Sequence, residues 1–142
     1  MKYDEFISQI QRRALLDSRE EAERATHATL WTLGERLAGG ETKDLASQLP
    51  PEMAQSLLKG QAGIPGRFSL DEFFWLVSER EGVDLLQATE HARVVTALLS
   101  EVVTIGEIDN VRAQLPKDFA RLFEVENEGD LPEIDDLPGT PE

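Results

Sequence analysis

Cysteine is absent from the 142-residue chain. That removes disulfides, thiolate nucleophiles and cysteine-ligated metals together. No apolar run approaches the roughly 20 residues that a membrane-spanning helix needs. Met1-Lys2-Tyr3-Asp4-Glu5 turns acidic at once and lacks the apolar core of a secretion signal, so a cytoplasmic location is expected. Basic residues are scarce: 14 lysines and arginines stand against 28 aspartates and glutamates, for a net charge of −14. A nucleic-acid interface needs a basic footprint to displace phosphate counterions. None is visible, which disfavours direct contact with nucleic acid and with anionic membrane alike. Also missing is any Val/Ile/Thr-rich alternating segment between turns, so no sheet is expected.

The acid excess is concentrated at one end. No base follows Arg121, while Glu124, Glu126, Glu128, Asp130, Glu133, Asp135, Asp136 and Glu142 do. With Pro132, Pro138 and Pro141 and few large apolar residues, 124–142 reads as a disordered acidic tail. Within it, Leu131-Pro132-Glu133-Ile134-Asp135-Asp136-Leu137 could serve as a short partner-binding peptide.

The rest of the chain is written twice. Gly40-Glu41 and Gln48-Leu49-Pro50 return sixty-six positions later as Gly106-Glu107 and Gln114-Leu115-Pro116. Tyr3-Asp4-Glu5-Phe6 returns as Leu70-Asp71-Glu72-Phe73. Each copy reads as a medium, a long, a short and a medium helix. The first helix spans 4–14, with Phe6, Ile7, Ile10 and Ala14 at helical spacing. Asp17 and Ser18 ahead of Glu20 and Glu21 have capping-box spacing and open a long helix to Leu37. Its inner stripe is Ala22, Ala25, Thr29, Leu33 and Leu37, and Gly39-Gly40 is expected to stop it. A short helix through Leu45 precedes Pro50, and Pro50-Pro51-Glu52 starts a fourth with Met53, Ala54, Leu57 and Leu58 inward. Gly60, Gly63, Pro65 and Gly66 then make a linker without regular structure.

In the second copy Ser69 and Glu72 form a capping box. Gly82 ends that helix, and Asp84 with Gln87 opens the next. Pro116 starts a last helix carrying Phe119, Ala120 and Phe123. The expected organisation is all-α: repeat 1 over 1–58, linker 59–68, repeat 2 over 69–123 and tail 124–142. The two four-helix repeats are expected to be related by a pseudo-twofold and packed as one domain, since one such unit is marginal for burying a core alone.

Tyr3-Asp4-Glu5-Phe6, Asp17 to Ala25, Gln48-Leu49-Pro50, Phe68-Ser69-Leu70-Asp71-Glu72-Phe73, and Gly106-Glu107 with Gln114-Leu115-Pro116 resemble an uncharacterised prokaryotic family. It is filed as a domain of unknown function, number twenty-two sixty-seven. The resemblance covers roughly residues 2–123. It implies an internally duplicated helical domain and brings no site residue, cofactor or activity with it.

Chemistry-bearing residues do not assemble into a set along the chain. A carboxylate-bridged metal bundle needs Glu-x-x-His pairs. The residues three before His27 and His91 are Arg24 and Ala88. His91 falls on the inner stripe and reads as a buried, satisfied histidine, and His27 as a surface one. Asp4-Glu5, Asp71-Glu72, Glu41 and Glu107 sit in first turns, where negative charge complements the helix dipole. No Gly-x-Ser-x-Gly elbow places a serine beside a histidine. Gly60 to Gly66 lacks the Lys-Ser/Thr of a phosphate loop. No catalytic, metal or cofactor residue is therefore assigned.

Trp31 and Trp75 break the internal symmetry, aligning with Ala97 and Ser8. They read either as packing between the repeats or as a surface for a partner, because aromatics are common interface anchors. The leading expectation is a non-enzymatic helical module that binds a protein partner or forms a homodimer. The alternative is a small-molecule binder or enzyme with a pocket between the repeats, near His91.

Overall fold

The computed structural model describes residues 1–37, 39–62 and 66–124. Among them every regular element is a helix. The α-helices are α1 (Tyr3–Arg13), α2 (Arg19–Arg36), α3 (Gly39–Ala46), α4 (Pro51–Ala62), α5 (Leu70–Glu81), α6 (Leu85–Val102) and α7 (Ile105–Gln114). A single 3-10 helix, Lys117–Leu122, follows. No helix among the described residues is long and apolar enough to cross a membrane.

Local chemistry sets most of the helix starts. Ser18 accepts the Glu21 N–H, and the Glu21 carboxylate accepts the Ser18 N–H in return. Ser69 and Glu72 repeat that box at α5. Asp84 accepts the Gln87 N–H at 2.8 Å to open α6. Gly82 closes α5 at φ +80°, a left-handed turn in which a side chain is strained.

Four boundaries differ from the reading above. Leu37 leaves helical geometry and buries its side chain, so α2 ends at Arg36 and Gly39-Gly40 opens α3 instead of stopping α2. Gly106 likewise lies inside α7, whose cap is Thr104. α4 runs through Gly60 to Ala62, into the expected linker. The last helix is a 3-10 segment, held by tertiary bonds: Asp118 accepts the Leu70 N–H, and Leu122 O accepts the Thr96 hydroxyl. Linker residues 63–65 and tail residues 125–142 lie outside the described residues.

α2 is the central element. It packs on α1, α4, α5 and α6 and buries most of its circumference, leaving Glu20 and Arg24 exposed and Glu23 and His27 half-buried. Two of its buried threonines are satisfied within the helix: Thr29 and Thr32 each donate to the carbonyl four residues earlier at 2.8 Å. Closest of all is α4. A Cβ on Gly34 would lie 2.1 Å from the Leu57 carbonyl oxygen, and one on Gly60 2.1 Å from that of Trp31. Two glycines, one per helix, therefore let the backbones touch. That requirement is what keeps Gly60 helical.

One continuous apolar core joins all the elements. Phe6, Ile7, Leu33, Met53, Leu57, Phe73, Leu98 and Phe119 are among its fully enclosed side chains. Each contributes roughly 1.5–3 kcal/mol by leaving water. Phe73 is its aromatic centre, edge-on to Phe74 and Phe119 with ring centroids 6.0 and 5.7 Å away.

Candidate functional site

The groove beside α2 and α4 collects the polar side chains that α2 does not bury. Glu23, His27 and Trp31 stand four apart along α2 and share one face. Ser56 and Lys59 stand three apart on α4 and meet them. Arg80 reaches in from α5, and Tyr3 closes the far end from α1. The cleft around Trp31 has a volume of about 300 Å³, and a second one, of about 440 Å³, adjoins it towards Tyr3.

A chain of hydrogen bonds runs along this groove. The Tyr3 hydroxyl donates to Glu23 Oε2 at 2.9 Å. Its oxygen lies 2.7 Å from His27 Nε2, and His27 Nδ1 lies 2.5 Å from Ser56 Oγ. Burial, followed by the hydrogen bond to Glu23, pushes the Tyr3 hydroxyl well above its ordinary range, so it keeps its proton. Burial also pulls the His27 imidazole below its usual value, so the ring is neutral. Proton counting then assigns the tautomer. Tyr3 has spent its single hydrogen on Glu23 and accepts from His27 Nε2–H. Nδ1 is left as the acceptor, and Ser56 donates to it. The carboxylate, phenol, imidazole and hydroxyl all align in one direction.

In this arrangement a hydroxyl proton points at a neutral imidazole, the first requirement for base-assisted nucleophilic chemistry. Ser56 lies within a turn of α4, so the backbone N–H groups around it are used inside the helix. The positive groups available to a ligand are side chains: Lys59, Arg80 and Arg24. Arg24 is engaged by Glu20 at 2.9 Å and Arg80 by Glu35 at 2.8 Å.

The tryptophans are not brought together. Trp31 is half-buried in the groove, with Lys59 Nζ and Arg80 Cζ each 4.0 Å from its ring centroid. A cation–π contact is worth about 0.5–2 kcal/mol, depending on desolvation. Through this ring α2, α4 and α5 are tied together. Trp75 stands on α5 with 55 % of its surface exposed, and no ring contact among the described residues involves it.

His91 is buried where α5 meets α6 and bonds to the Glu81 carboxylate, which raises its pKa above the ordinary histidine value. It lines none of the clefts described above. His27 is half-buried and doubly bonded, where the sequence suggests a surface histidine. Asp4 caps no helix by itself but holds Arg19 at 2.7 Å. Glu107 donates its backbone N–H to the Thr104 hydroxyl, and its carboxylate lies beside that of Glu41. Tyr3, Glu23, Ser56 and Lys59 carry no sequence signal of a site. Only the four-residue spacing of Glu23 and His27 hints that they share a face.

Fold and groove together define a class: an all-helical domain with a half-buried polar cleft on its central helix. Residues 3–122 match the family described as Uncharacterized conserved protein (DUF2267). The chain belongs to that family. Comparison with curated proteins gives no match.

Proposed function

We propose that this domain is a non-enzymatic helical module that binds a protein partner or a second copy of itself, with Trp75 anchoring the contact. Trp75 carries the proposal. A large amphipathic ring, 55 % exposed in the middle of α5, replaces the serine found at the matching position of the first repeat, Ser8. Covering it recovers apolar burial at little conformational cost, which is why tryptophan is enriched at interface centres. Trp31, the other symmetry-breaking residue, is half-buried and already engaged by two cations, so the contact narrows to Trp75.

The scaffold behind it is read as two four-helix repeats about a pseudo-twofold. Matching interactions across the halves support that reading. Arg13 of α1 bonds Glu101 of α6 at 2.7 Å, and Arg80 of α5 bonds Glu35 of α2 at 2.8 Å. In both pairs the arginine lies in the last turn of the first helix of one repeat, and the glutamate lies near the end of the other repeat's long helix. A cytoplasmic module without direct nucleic-acid contact fits the acidic composition.

The test is Trp75→Ala in the full chain, read by sedimentation velocity and by affinity capture. The variant is expected to melt within about 2 °C of the parent, because surface truncations change stability little, and to lose self-association or the captured partner. A folded variant that keeps the parent's oligomers and partners removes the proposal.

A second reading rests on one observation, the Ser56 hydroxyl directed at a neutral His27. It makes the groove a small-molecule or acyl-transfer site. A fluorophosphonate probe should then label Ser56, and His27→Ala should abolish the labelling. An unlabelled parent chain ends this reading.

A further inference from the structure

The two Gly-Glu dipeptides that head the repeated stretch meet in space. α3 carries Glu41 and Asp44, α7 carries Glu107, and the two helices pack together. One carboxylate oxygen from each of these residues lies within 4.8 Å of the other two. A solvated acidic face would not look like this. Glu107 is only 6 % exposed, and its Oε2 is enclosed without a hydrogen-bond partner. Glu41 Oε2 is enclosed in the same way. Buried polar atoms are nearly always bonded, so two bare carboxylate oxygens on residues of one cluster require an explanation.

Helix capping does not supply it. The Thr104 side chain accepts the Glu107 N–H, and the Gln48 side-chain oxygen accepts the Thr104 N–H at 2.9 Å. The end of α7 is closed without the Glu107 carboxylate.

We propose that Glu41, Asp44 and Glu107 bind one hard divalent cation, Mn²⁺, Mg²⁺ or Ca²⁺, which joins α3 to α7. An all-oxygen set with no imidazole or thiolate selects such ions over zinc or copper. Metal–oxygen distances are about 2.0–2.6 Å, so three oxygens gathered within 4.8 Å need only small side-chain shifts to meet on a single cation. Glu107 and Glu41 supply the enclosed side of the site. Asp44 is exposed, giving a route in and leaving the outer positions to water. Asn110 follows Glu107 by three residues, as Asp44 follows Glu41, and so repeats an oxygen donor at the matching register.

The experiment titrates MnCl₂ into the full chain and follows free Mn²⁺ by electron paramagnetic resonance. Expected is one tight ion per chain. Mg²⁺ and Ca²⁺ should displace it. Glu107→Gln should weaken the tight site by about tenfold or more while keeping the helical circular dichroism, and Asp44→Asn should weaken it less. Both variants retain the eight acids of 124–142, so any loose binding there stays unchanged and separates from the site. A melting temperature raised by MnCl₂ in the parent and not in Glu107→Gln is the second readout. The proposal is overturned by a folded parent with no tight Mn²⁺ site. Equal Mn²⁺ affinity in the parent and in Glu107→Gln overturns it as well.

Discussion

A glutamate pushed up to about 7 between two other carboxylates keeps a proton in the folded chain that it loses in the unfolded one. Below its ordinary value of 4.5 both states are protonated and the group has no effect on stability. Between about 4.5 and 7 the unfolded chain releases the proton first, so stability falls as pH rises. Above that window both states are ionised, and the full cost is in place. Glutamine at 107 cannot ionise. The urea midpoint of Glu107→Gln should therefore gain on the parent from pH 4.5 to 7 and then hold a constant lead, measured with a chelator present. A pH-independent difference would show that Glu107 titrates normally. The comparison needs this variant because His91 acts in the same direction: the stability it gains from Glu81 is lost as pH rises through its elevated value. His27 acts in the opposite direction, losing stability as pH falls, since burial disfavours its charged form. None of this was legible in the sequence. Glu41 and Glu107 each stand near a helix start, where an acid already has a sufficient local reason to be. Their meeting is a fact of tertiary packing.

At the scale of the element, the contact of α2 with α4 depends on the absence of two side chains. Gly34→Ala or Gly60→Ala would drive a methyl to 2.1 Å from a backbone carbonyl oxygen. Neither helix can yield without opening the core, so a loss of roughly 3 kcal/mol or more is expected. Gly40→Ala and Gly106→Ala meet nothing within 4 Å and lie in helices. They should leave stability equal or raise it by about 0.5–1 kcal/mol. Denaturant unfolding of the four variants checks both halves of this prediction, and similar losses at all four positions would contradict it. Here the sequence is a partial guide. Ser18 with Glu21, Ser69 with Glu72, Asp84 and Pro51 announce their helices because a cap is a contact between residues three apart. Gly60 reads as a helix breaker because glycine usually is one. What keeps it helical lies in α2, at Trp31, Gly34 and Glu35. The Ser56–His27 bond is hidden for the same reason, spanning 29 positions.

On the scale of the whole molecule, the ion pairs that join α1 to α6 and α5 to α2 differ in surroundings. Arg80 and Glu35 keep 16 % and 15 % of their side-chain surface, and Arg80 also donates to Thr32 and covers Trp31. Arg13 and Glu101 keep 36 % and 53 %. Removing one partner of a largely buried pair strands the other, so Arg80→Met should cost roughly 2–4 kcal/mol. Arg13→Met should cost at most about 1 kcal/mol. Equal losses in urea unfolding would mean that burial does not separate the two contacts. The sequence does not say which pair would be enclosed, because that depends on the Trp31 indole, which Arg80 covers from another helix.

The crossing of Gly34 with Gly60 has a further consequence. A contact made of backbone alone has no rotamers to exchange and no soft side chain to compress, so it offers a single seat. Sliding α4 by one turn would put a side chain where only a hydrogen fits. α2 and α4 must therefore travel as one thick rod, and any change of shape in this domain has to occur elsewhere. The remaining joints are the α1 and α5 flanks and the seam between α3 and α7. The Ser56–His27 pair lies on the rod and keeps its spacing, whereas the Tyr3 and Arg80 ends of the groove and the carboxylate cluster lie on joints.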